Sequence, residues 1–523
     1  MFLGVDFGTS STVLAVSDGK EAPRVIELPP FSMSRASFAS TEPAIPSLIT
    51  YNHDGSSWIG AQVLNKAAAR ATNTFRLMKT YLTDDYIDTP RTLSRGQKVS
   101  NRDAAEKFLL TVLQFAQASH GPFQNVCLTM PVGVSAHYGE WLTGVAKKAG
   151  FPVPSVLDEP TAASVGYEQT LKIGDHFLVV DFGGGTLDVA CVELNVSQKS
   201  EQVLPSVKTL GLSGADLGGS EIDAWIADEI CVSLKLADDV ANGSGMLNDL
   251  LLSAQAAKER LSFKEESSVS VIDPETGGIV EYKFARVELE QLLQRRGLFE
   301  RLDETIQASI NQARGEGVTL SELKAVLLIG GSNLIPSVRS HIAARFKKTD
   351  ILDSHPFSAV ALGAARVAAG TKVVSKTTHD YALRYVDDGG AEKFEVIVPS
   401  GLETPARDVW SGVITSTQKG QTSFEITVYR RKVSRTLRRT VEILFGSSGQ
   451  PKISKSEPKS KGFSGEKLVS KPVRTVPSTR AGEACLEASF SIDDQKRLLA
   501  SVSDVRRVPN LPLLEDEQLT SLD

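Results

Sequence analysis

The sequence is poor in the features that mark several specialised classes of protein. It has only 4 cysteines in 523 residues, far apart and without the spacing of a zinc site, so neither a disulfide scaffold nor a zinc module is expected. No apolar run is long enough to cross a membrane, no signal segment precedes the first strand, and a net charge of −6 leaves no basic excess for DNA. We therefore expect reduced thiols, a cytoplasmic location, no DNA and no membrane.

The length and the residue pattern indicate several globular domains, because 523 residues exceed what one core accommodates. Apolar strand runs alternate with amphipathic helical stretches over residues 1–372, which predicts an α/β domain with mixed sheets. We further predict a linker at 373–380 and a β-rich domain at 381–508, within which about 450–480 forms a disordered loop. Residues 509–523 read as an acidic tail.

One short motif occurs twice, about 175 residues apart, as VDFGTSST at 5–12 and VDFGGGTLD at 180–188. Each copy is an apolar strand that ends in aspartate, followed by a turn of glycine and hydroxyl residues. Such a turn lets backbone N–H groups approach phosphate oxygens, and an aspartate beside it can hold a hydrated Mg²⁺. The repetition predicts two related lobes that face one nucleotide.

Five further segments follow in order: 73–79 (NTFRLMK), 130–133 (MPVG), 158–164 (DEPTAAS), 217–223 (LGGSEID) and 327–336 (LLIGGSNLIP). The third places Pro160 in the first turn of a helix, and the last is a strand, a glycine pair and a helix, which accepts a phosphate or ribose. This order and spacing resemble the nucleotide-binding domain of the heat shock protein 70 (DnaK-type) chaperones, within the actin and sugar-kinase ATPase superfamily.

The resemblance covers about residues 1–372 and implies a two-lobed, actin-like ATPase domain built on a duplicated ribonuclease-H-like fold. It implies ATP or ADP, Mg²⁺ and K⁺ as cofactors. The region from 378 resembles the family's peptide-binding β-sandwich by position and strand character, and we expect no helical lid after it. The partners implied are an unfolded or extended polypeptide or a dedicated protein, together with a J-domain co-chaperone and a nucleotide exchange factor.

The resemblance also implies roles for individual residues. The matching metal residues are Asp6 and Asp181. The matching catalytic residues are Lys79, Glu159, Asp181, Thr186 and Asp188. The matching nucleotide contacts are Gly8, Thr9, Ser10, Gly183, Gly184, Gly185, Gly218, Lys258, Ser262, Gly330, Gly331 and Ser332. In this assignment Lys79 holds the γ-phosphate and the attacking water, Asp188 orients that water, and Glu159 senses the nucleotide, with Pro131 as its relay.

Taken singly, these residues have plainer interpretations. Lys79 and Lys258 are ordinary solvated helix lysines in isolation, and Glu159 is an acid favoured by a helix N-terminus. The chemistry nevertheless stands without the family name, because hydrolysis of a γ-phosphate needs charge neutralisation and an aligned water more than covalent help. Lys79, two carboxylates on a metal and one hydroxyl supply both.

Several positions depart from the family pattern. Leu334 stands where the family has an arginine near the adenine, and Gly139 replaces the relay arginine after Pro131. The segment 355–358 (HPFS) lacks an acidic pair, and the linker is basic instead of acidic and leucine-rich. These changes put strong coupling between ATP and a bound polypeptide in doubt.

The leading hypothesis is a slowly hydrolysing, chaperone-like ATPase whose turnover a partner stimulates. The alternative is a nucleotide-locked scaffold or co-chaperone that binds ATP without hydrolysing it. A small-molecule kinase or a filament-forming protein fits poorly with a β-rich C-terminal domain. The basic run at 429–432 (YRRK) suggests RNA contact, although a solvated cationic strand face explains it more simply.

Overall fold

The structure is a computed structural model. The residues that it describes are 1–83, 88–134, 136–167, 172–198, 203–234, 245–272, 278–377, 379–386, 391–431, 441–455, 465–475, 479–493, 497–506 and 511–522. The chain forms two compact units. The first comprises Met1–Val132, Trp141–Lys372 and Arg435–Pro458, and the second comprises Gly133–Glu140, Val373–Ser434 and Lys459–Asp523. No helix among the described residues is long and apolar enough to cross a bilayer.

The first unit begins with a lobe formed by residues 1–167. Its elements are β1 (Phe2–Phe7), β2 (Ser11–Ser17), β3 (Arg24–Val25), β4 (Met33–Ala36), β5 (Thr41–Pro46), β6 (Ile49–Tyr51), β7 (Ser57–Ile59), α1 (Ala61–Asn65), β8 (Thr74–Phe75), α2 (Thr80–Thr83), β9 (Arg91–Thr92), β10 (Lys98–Val99), α3 (Asn101–His120), β11 (Val126–Met130), α4 (Ala136–Lys148), β12 (Ser155–Asp158) and α5 (Glu159–Gly166). Strands β12, β11, β1, β2, β5 and β4 form its main sheet in that order.

A second lobe, residues 172–352, follows. Its elements, together with the helix after it, are β13 (His176–Phe182), β14 (Leu187–Gln198), β15 (Val203–Ala215), α6 (Gly219–Ser233), α7 (Gly245–Leu261), β16 (Glu266–Ile272), β17 (Ile279–Ala285), α8 (Arg286–Arg295), α9 (Leu298–Gly315), β18 (Leu323–Ile329), α10 (Pro336–Arg345), β19 (Asp350–Leu352) and α11 (Ala359–Ala368). Strands β19, β18, β13, β14 and β15 lie side by side in that order.

The two lobes repeat one sheet topology. The order β12-β11-β1-β2 in the first lobe matches β19-β18-β13-β14 in the second. In both, the central strand pairs antiparallel with the next strand of its hairpin and parallel with the strand on its other side. These strands are continuous apolar runs because helices cover both faces, as parallel sheets require. The duplicated architecture predicted from the repeated motif is therefore present.

Helices α5 and α11 pack against each other and against the first sheet. Gly363 allows the approach to α5, because a Cβ at this position would overlap the carbonyl of Ala162. Gly4 plays the same part in β1, where a Cβ would overlap the backbone of α11 at Ala365. The residues at the start of α5 are thereby held against the ends of the central strands.

The strands after α11 are β20 (Lys372–Lys376), β21 (Tyr381–Val386), β22 (Glu392–Val398), β23 (Glu403–Thr404), β24 (Ala406–Thr415), β25 (Ser423–Arg431), β26 (Val441–Phe445), β27 (Pro451–Lys455), β28 (Gly465–Arg474), β29 (Ala484–Ile492), β30 (Arg497–Asp504) and β31 (Leu511–Ser521). The second unit holds two four-stranded sheets, β22-β21-β25-β28 and β24-β29-β30-β31. Their inner faces share one apolar cluster centred on Tyr381, Val428, Leu486 and Phe490, as in a β-sandwich.

Three segments differ from their sequence-based description. Part of the linker at 373–380 lies in β20, and part of the loop at 450–480 lies in β27 and β28. Residues 456–464 and 476–478 of that loop lie outside the described residues. The tail at 509–523 contains β31, which pairs with β30 and packs Leu514 and Leu519 against the sandwich core. Leucines spaced through an acidic segment thus serve as the buried positions of an end strand.

Candidate functional site

The predicted site residues surround one cavity of about 300 Å³ between the two lobes. Those that line it are Asp6, Gly8, Thr9, Ser10, Lys79, Glu159, Asp181, Gly183, Gly184, Gly185, Thr186, Lys258, Ser262, Gly330, Gly331 and Ser332. Two predicted residues, Asp188 and Gly218, do not line it, and each lies directly behind a lining element. The structure therefore brings together residues that are separated by up to about 330 positions in the sequence.

The two glycine turns close on each other at the floor of this cavity. In each turn the first glycine donates its N–H to the carbonyl three residues on, Gly8 to Ser11 at 3.1 Å and Gly183 to Thr186 at 3.0 Å. A Cβ on Gly184 would overlap the hydroxyl of Ser10. The facing turns therefore leave a cradle of backbone N–H groups and hydroxyls, and a side chain would fill it. This geometry suits a phosphate chain.

Gly218 supports the cradle from behind. A Cβ at this position would lie 2.5 Å from the backbone N of Gly185, although the φ of −156° suits any residue. The start of α6 is bonded to the same turn, because Gly219 N–H donates to the carbonyl of Gly183 at 3.0 Å. Gly218 thus acts through packing, by letting the helix end approach the turn.

Four acidic side chains converge around the cradle with one lysine. Burial and the negative charge of Glu159 raise the pKa of Asp6 to about 7, against the lowering effects of Lys79 and of the Thr129 hydroxyl. Burial and the neighbouring carboxylates also raise the pKa of Asp181 well above its usual value. So much clustered negative charge calls for a cation, and hard oxygen donors are what Mg²⁺ prefers.

The donor set therefore fits a hydrated Mg²⁺. Asp6 and Asp181 are the residues that would hold it, since they end the two central strands on either side of the cradle. Among the described residues there is no group of three or more His, Cys, Asp or Glu side chains arranged to hold a metal ion. A Mg²⁺ at this position would accordingly keep most of its waters, as this ion commonly does.

Lys79 and Glu159 form a buried ion pair at the cavity wall, with exposed side-chain fractions of 4% and 8%. Glu159 starts α5, whose N-cap Asp158 accepts the N–H of Thr161 at 2.9 Å. The predicted catalytic lysine and the predicted sensor acid are thus direct partners. Lys79 Nζ therefore lies at the cavity with its charge compensated by Glu159, which belongs to the same lobe.

Asp188 lies fully buried behind the second turn. One of its carboxylate oxygens accepts the backbone N–H of Val132 at 2.9 Å, which joins the second lobe to the segment after Pro131. Thr186, two residues earlier, does line the cavity. The carboxylate of Asp188 is therefore held by a backbone N–H of the first lobe, two positions along the chain from a residue that lines the cavity.

The opposite wall is built by α7 and by the turn after β18. Lys258 Nζ donates to the carbonyl of Gly219 at 2.6 Å and pairs with Asp223 at 2.7 Å. Burial raises the pKa of Asp223 to about 6, although Lys258 counteracts it. Ser332 Oγ donates to the carbonyl of Gly183 at 2.8 Å. These bonds join the nucleoside side of the cavity to the second phosphate turn.

Segment 355–358 also contributes to the site, although none of its residues was among those predicted from the sequence. Pro356 and Phe357 line the cavity, and buried Glu42 holds their segment. Glu42 accepts hydrogen bonds from Phe357 N–H at 3.1 Å, from His355 Nδ1–H at 3.2 Å and from the Ser358 hydroxyl. The bond to Glu42 raises the pKa of His355. The departure from the family pattern at 355–358 is the sequence feature that could have indicated a role for this segment in the site.

Residues 95–436, more than half of the chain, match the sequence model of the Hsp70 protein family. This chain belongs to the Hsp70 family. The chain accordingly has the two-lobed, actin-like ATPase fold of that family, whose members bind ATP or ADP with Mg²⁺. Members of the family are ATP-dependent chaperones that bind unfolded polypeptides and work with J-domain proteins and nucleotide exchange factors.

Proposed function

We propose that this Hsp70 protein hydrolyses ATP slowly between its two lobes and binds an extended polypeptide or a dedicated protein partner through its second unit. The observation that supports hydrolysis most directly is that Lys79 and Thr186 line the same cavity as the two glycine turns, with the carboxylate of Asp188 buried behind the second turn. Binding alone would need the cradle, whereas these three groups match what a reacting γ-phosphate requires.

The residues divide the chemistry among them. The cradle N–H groups and the hydroxyls of Thr9 and Ser10 bind the phosphates, and Lys79 neutralises charge that develops on the transferred group. Asp188, held by Val132 N–H, orients the attacking water and accepts its proton, while Thr186 contacts that water. Bound Mg²⁺ would supply further charge neutralisation at the phosphates. Burial of Asp188 keeps bulk water away from it.

Hydrolysis is tested by single-turnover reactions of the full chain with ATP, Mg²⁺ and K⁺. We expect slow phosphate release that Lys79→Ala reduces by about 100-fold or more. ATP that stays bound without hydrolysis would contradict the proposal. That result would instead support a nucleotide-locked scaffold, which the Gly139 departure and the basic linker also favour.

For polypeptide binding we propose strand addition at β22, the end strand of one sandwich sheet. Residues 392–396 of β22 are exposed, including Phe394 at 38% and Val396 at 44%. End strands of this kind are templates for extended polypeptides, whose backbone pairs with the strand while side chains contact the exposed apolar residues. The neighbouring acids already have partners in this unit, since Glu392 pairs with Arg384 and Glu395 accepts the Trp410 Nε1–H.

The test uses reduced, carboxymethylated lactalbumin as a permanently unfolded polypeptide. Val396→Asp should weaken its binding by about tenfold, because a carboxylate replaces an apolar contact. Val413→Asp is the matched control, since Val413 is 58% exposed on β24, the end strand of the other sheet. Equal binding by both variants would contradict the assignment to β22.

A further inference from the structure

A hairpin encoded near the end of the chain belongs to the ATPase domain. Strands β26 and β27 pair from Val441 with Lys455 to Phe445 with Pro451. They lie in the first unit, although β25 and β28, which come before and after them, pair with each other in the second. Val441, Ile443 and Phe445 are each at most 9% exposed and share the apolar cluster of the second lobe. The hairpin is therefore packed as core.

Phe445 anchors the hairpin on the first lobe. Its ring centre lies 5.2 Å from the Arg76 guanidinium and 4.9 Å from that of Arg91, and its N–H donates to the Tyr81 hydroxyl at 2.6 Å. Burial lowers the pKa of both arginines to about 10, so both stay charged at neutral pH and attract the ring face. The turn contributes too, because Gly449, with φ of +76°, lies against the carbonyl of Thr72.

The same hairpin contacts the second lobe. Val441 N–H donates to the buried Glu221 carboxylate of α6 at 3.4 Å. Ile443 lines a cavity of about 490 Å³ together with Leu251 of α7 and with Ser10 and Leu77 of the first lobe. Alternate residues of β26 thus contact both the first and the second lobe. Separation of the lobes would have to expose this apolar surface.

The first-lobe contacts flank Lys79. Arg76 lies three residues before it and Tyr81 two residues after it, and both contact Phe445. Between them Leu77 has φ of +54°, a left-handed conformation that is costly for a non-glycine residue and persists only where the surroundings impose it. Leu77 packs against the cluster that includes the hairpin. The hairpin therefore also holds the segment that carries Lys79.

We propose that the β26–β27 hairpin is an interlobe clamp, which keeps the two lobes closed on bound nucleotide and withdraws before nucleotide leaves. This inference rests on the proposed nucleotide site but not on hydrolysis. Nucleotide held between two lobes leaves when they separate, so a contact that both lobes share slows its release. The Arg76 bond to Asn248 of α7, at 2.7 Å, joins the lobes at the same place, and Phe445 covers that arginine.

The test measures release of N-methylanthraniloyl-ADP from the full chain with Mg²⁺, after a chase with excess unlabelled ADP. Phe445→Ala removes the ring between the two guanidinium groups and should speed release by about tenfold or more. Leu444→Ala is the matched control, because it shortens a half-buried side chain on the other face of the same strand. We expect this control to change the rate by less than about twofold.

A gentler variant separates the clamp from a general loss of structure. Tyr81→Phe removes only the hydroxyl that accepts the Phe445 N–H, and it should speed release about threefold to tenfold. In the Phe445→Ala background the same change should add little, because the two variants break one contact. Unchanged or slower release in both variants would overturn the clamp and leave the ATPase proposal standing. A wild-type chain that does not bind the labelled ADP would overturn the nucleotide site itself.

Discussion

The two glycine turns share one backbone geometry, and their hairpins differ in the residue that lies opposite the strand aspartate. In the first hairpin Asp6 pairs across the strands with Val13, and in the second Asp181 pairs with Asp188. Both aspartates are the penultimate residue of a central strand, and both turns close with the same backbone bond. The duplicated scaffold therefore supplies two equivalent turns, whereas a second carboxylate opposite the strand aspartate occurs in the second hairpin alone.

The surroundings of the two positions account for this difference. Asp188 is buried but accepts the Val132 N–H from the other lobe, so its charge is hydrogen-bonded. Val13 belongs to an apolar cluster with Ala15, Ala361 and Ala365 on α11. A buried carboxylate is tolerable only with such a partner. The repeated fold thus carries a buried acid at this position in one hairpin only, because the two lobes pack their hairpins against different neighbours.

Removal of the distinguishing carboxylate should have the largest effect. Asp188→Asn keeps the shape and the bond to Val132 but cannot accept a proton from water, so single-turnover hydrolysis should fall by about 100-fold to 10,000-fold. Nucleotide affinity, measured with the same labelled ADP, should change by less than about threefold. Loss of both in equal measure would show that Asp188 serves binding.

The reverse change should damage stability. Val13→Asp gives the first hairpin the residue of the second at a position that is 2% exposed and packs against alanines, and should lower the free energy of unfolding by about 3 kcal/mol or more. Urea denaturation, followed through the unfolding transition of the ATPase domain, measures this loss of stability. Val13→Asn is the control, since an uncharged residue of the same shape should cost clearly less, and equal losses would mean that charge is not the cause.

A pair of glycines tests the packing behind the second turn. Gly218→Ala places a methyl group 2.5 Å from the Gly185 backbone, whereas at Gly183 the nearest atom to a new Cβ is 3.7 Å away. We expect Gly218→Ala to weaken ADP binding by about tenfold, and Gly183→Ala, which adds a methyl group to a cavity-lining turn without displacing the backbone, to weaken it less. Titration with labelled ADP measures the affinity of each variant. Similar affinities would show that the turn can move away from a methyl group at position 218.

The raised pKa of Asp6, about 7, predicts a smaller, graded effect of pH. Because the folded, ligand-free protein favours the protonated carboxyl, its stability should fall as pH rises from about 4 towards 7. Mg²⁺ needs the carboxylate, so affinity for ADP with Mg²⁺ should rise up to about tenfold per unit below pH 7 and then level off. Calorimetry should detect a released proton near pH 6, and Asp6→Asn should bind with less proton release.

Much of the fold and the cradle could be predicted because their signals are local and repeated. Each phosphate turn is recognisable in the sequence from an aspartate, glycines and hydroxyl residues within eight positions. The segments around Lys79 and Glu159 occur in the order that the family has. Residues such as Gly330 and Ser332 follow from a strand, glycine pair and helix. The structure brings these pieces into one cavity because the sheets of the two lobes share a topology.

The remainder depends on contacts that no local pattern encodes. Val441, Ile443 and Phe445 alternate like the residues of any half-buried strand, and nothing in that alternation says which surface they cover. The tail at 509–523 is acidic, yet its leucines allow it to pack as the end strand of a sheet. Glu42 reveals its role only through three donors more than 300 positions away.

The position of the hairpin in the chain has a consequence for biosynthesis. The bond between Tyr81 and Phe445 spans 364 residues, so it forms only when almost the whole chain has left the ribosome. Domains fold largely as they emerge, at about 5–20 residues per second, and residues 373–455 need roughly 4–17 s of further synthesis. During that interval a newly folded ATPase domain lacks the hairpin and can exchange nucleotide freely. Nucleotide loading during translation is therefore easier than exchange in the finished protein.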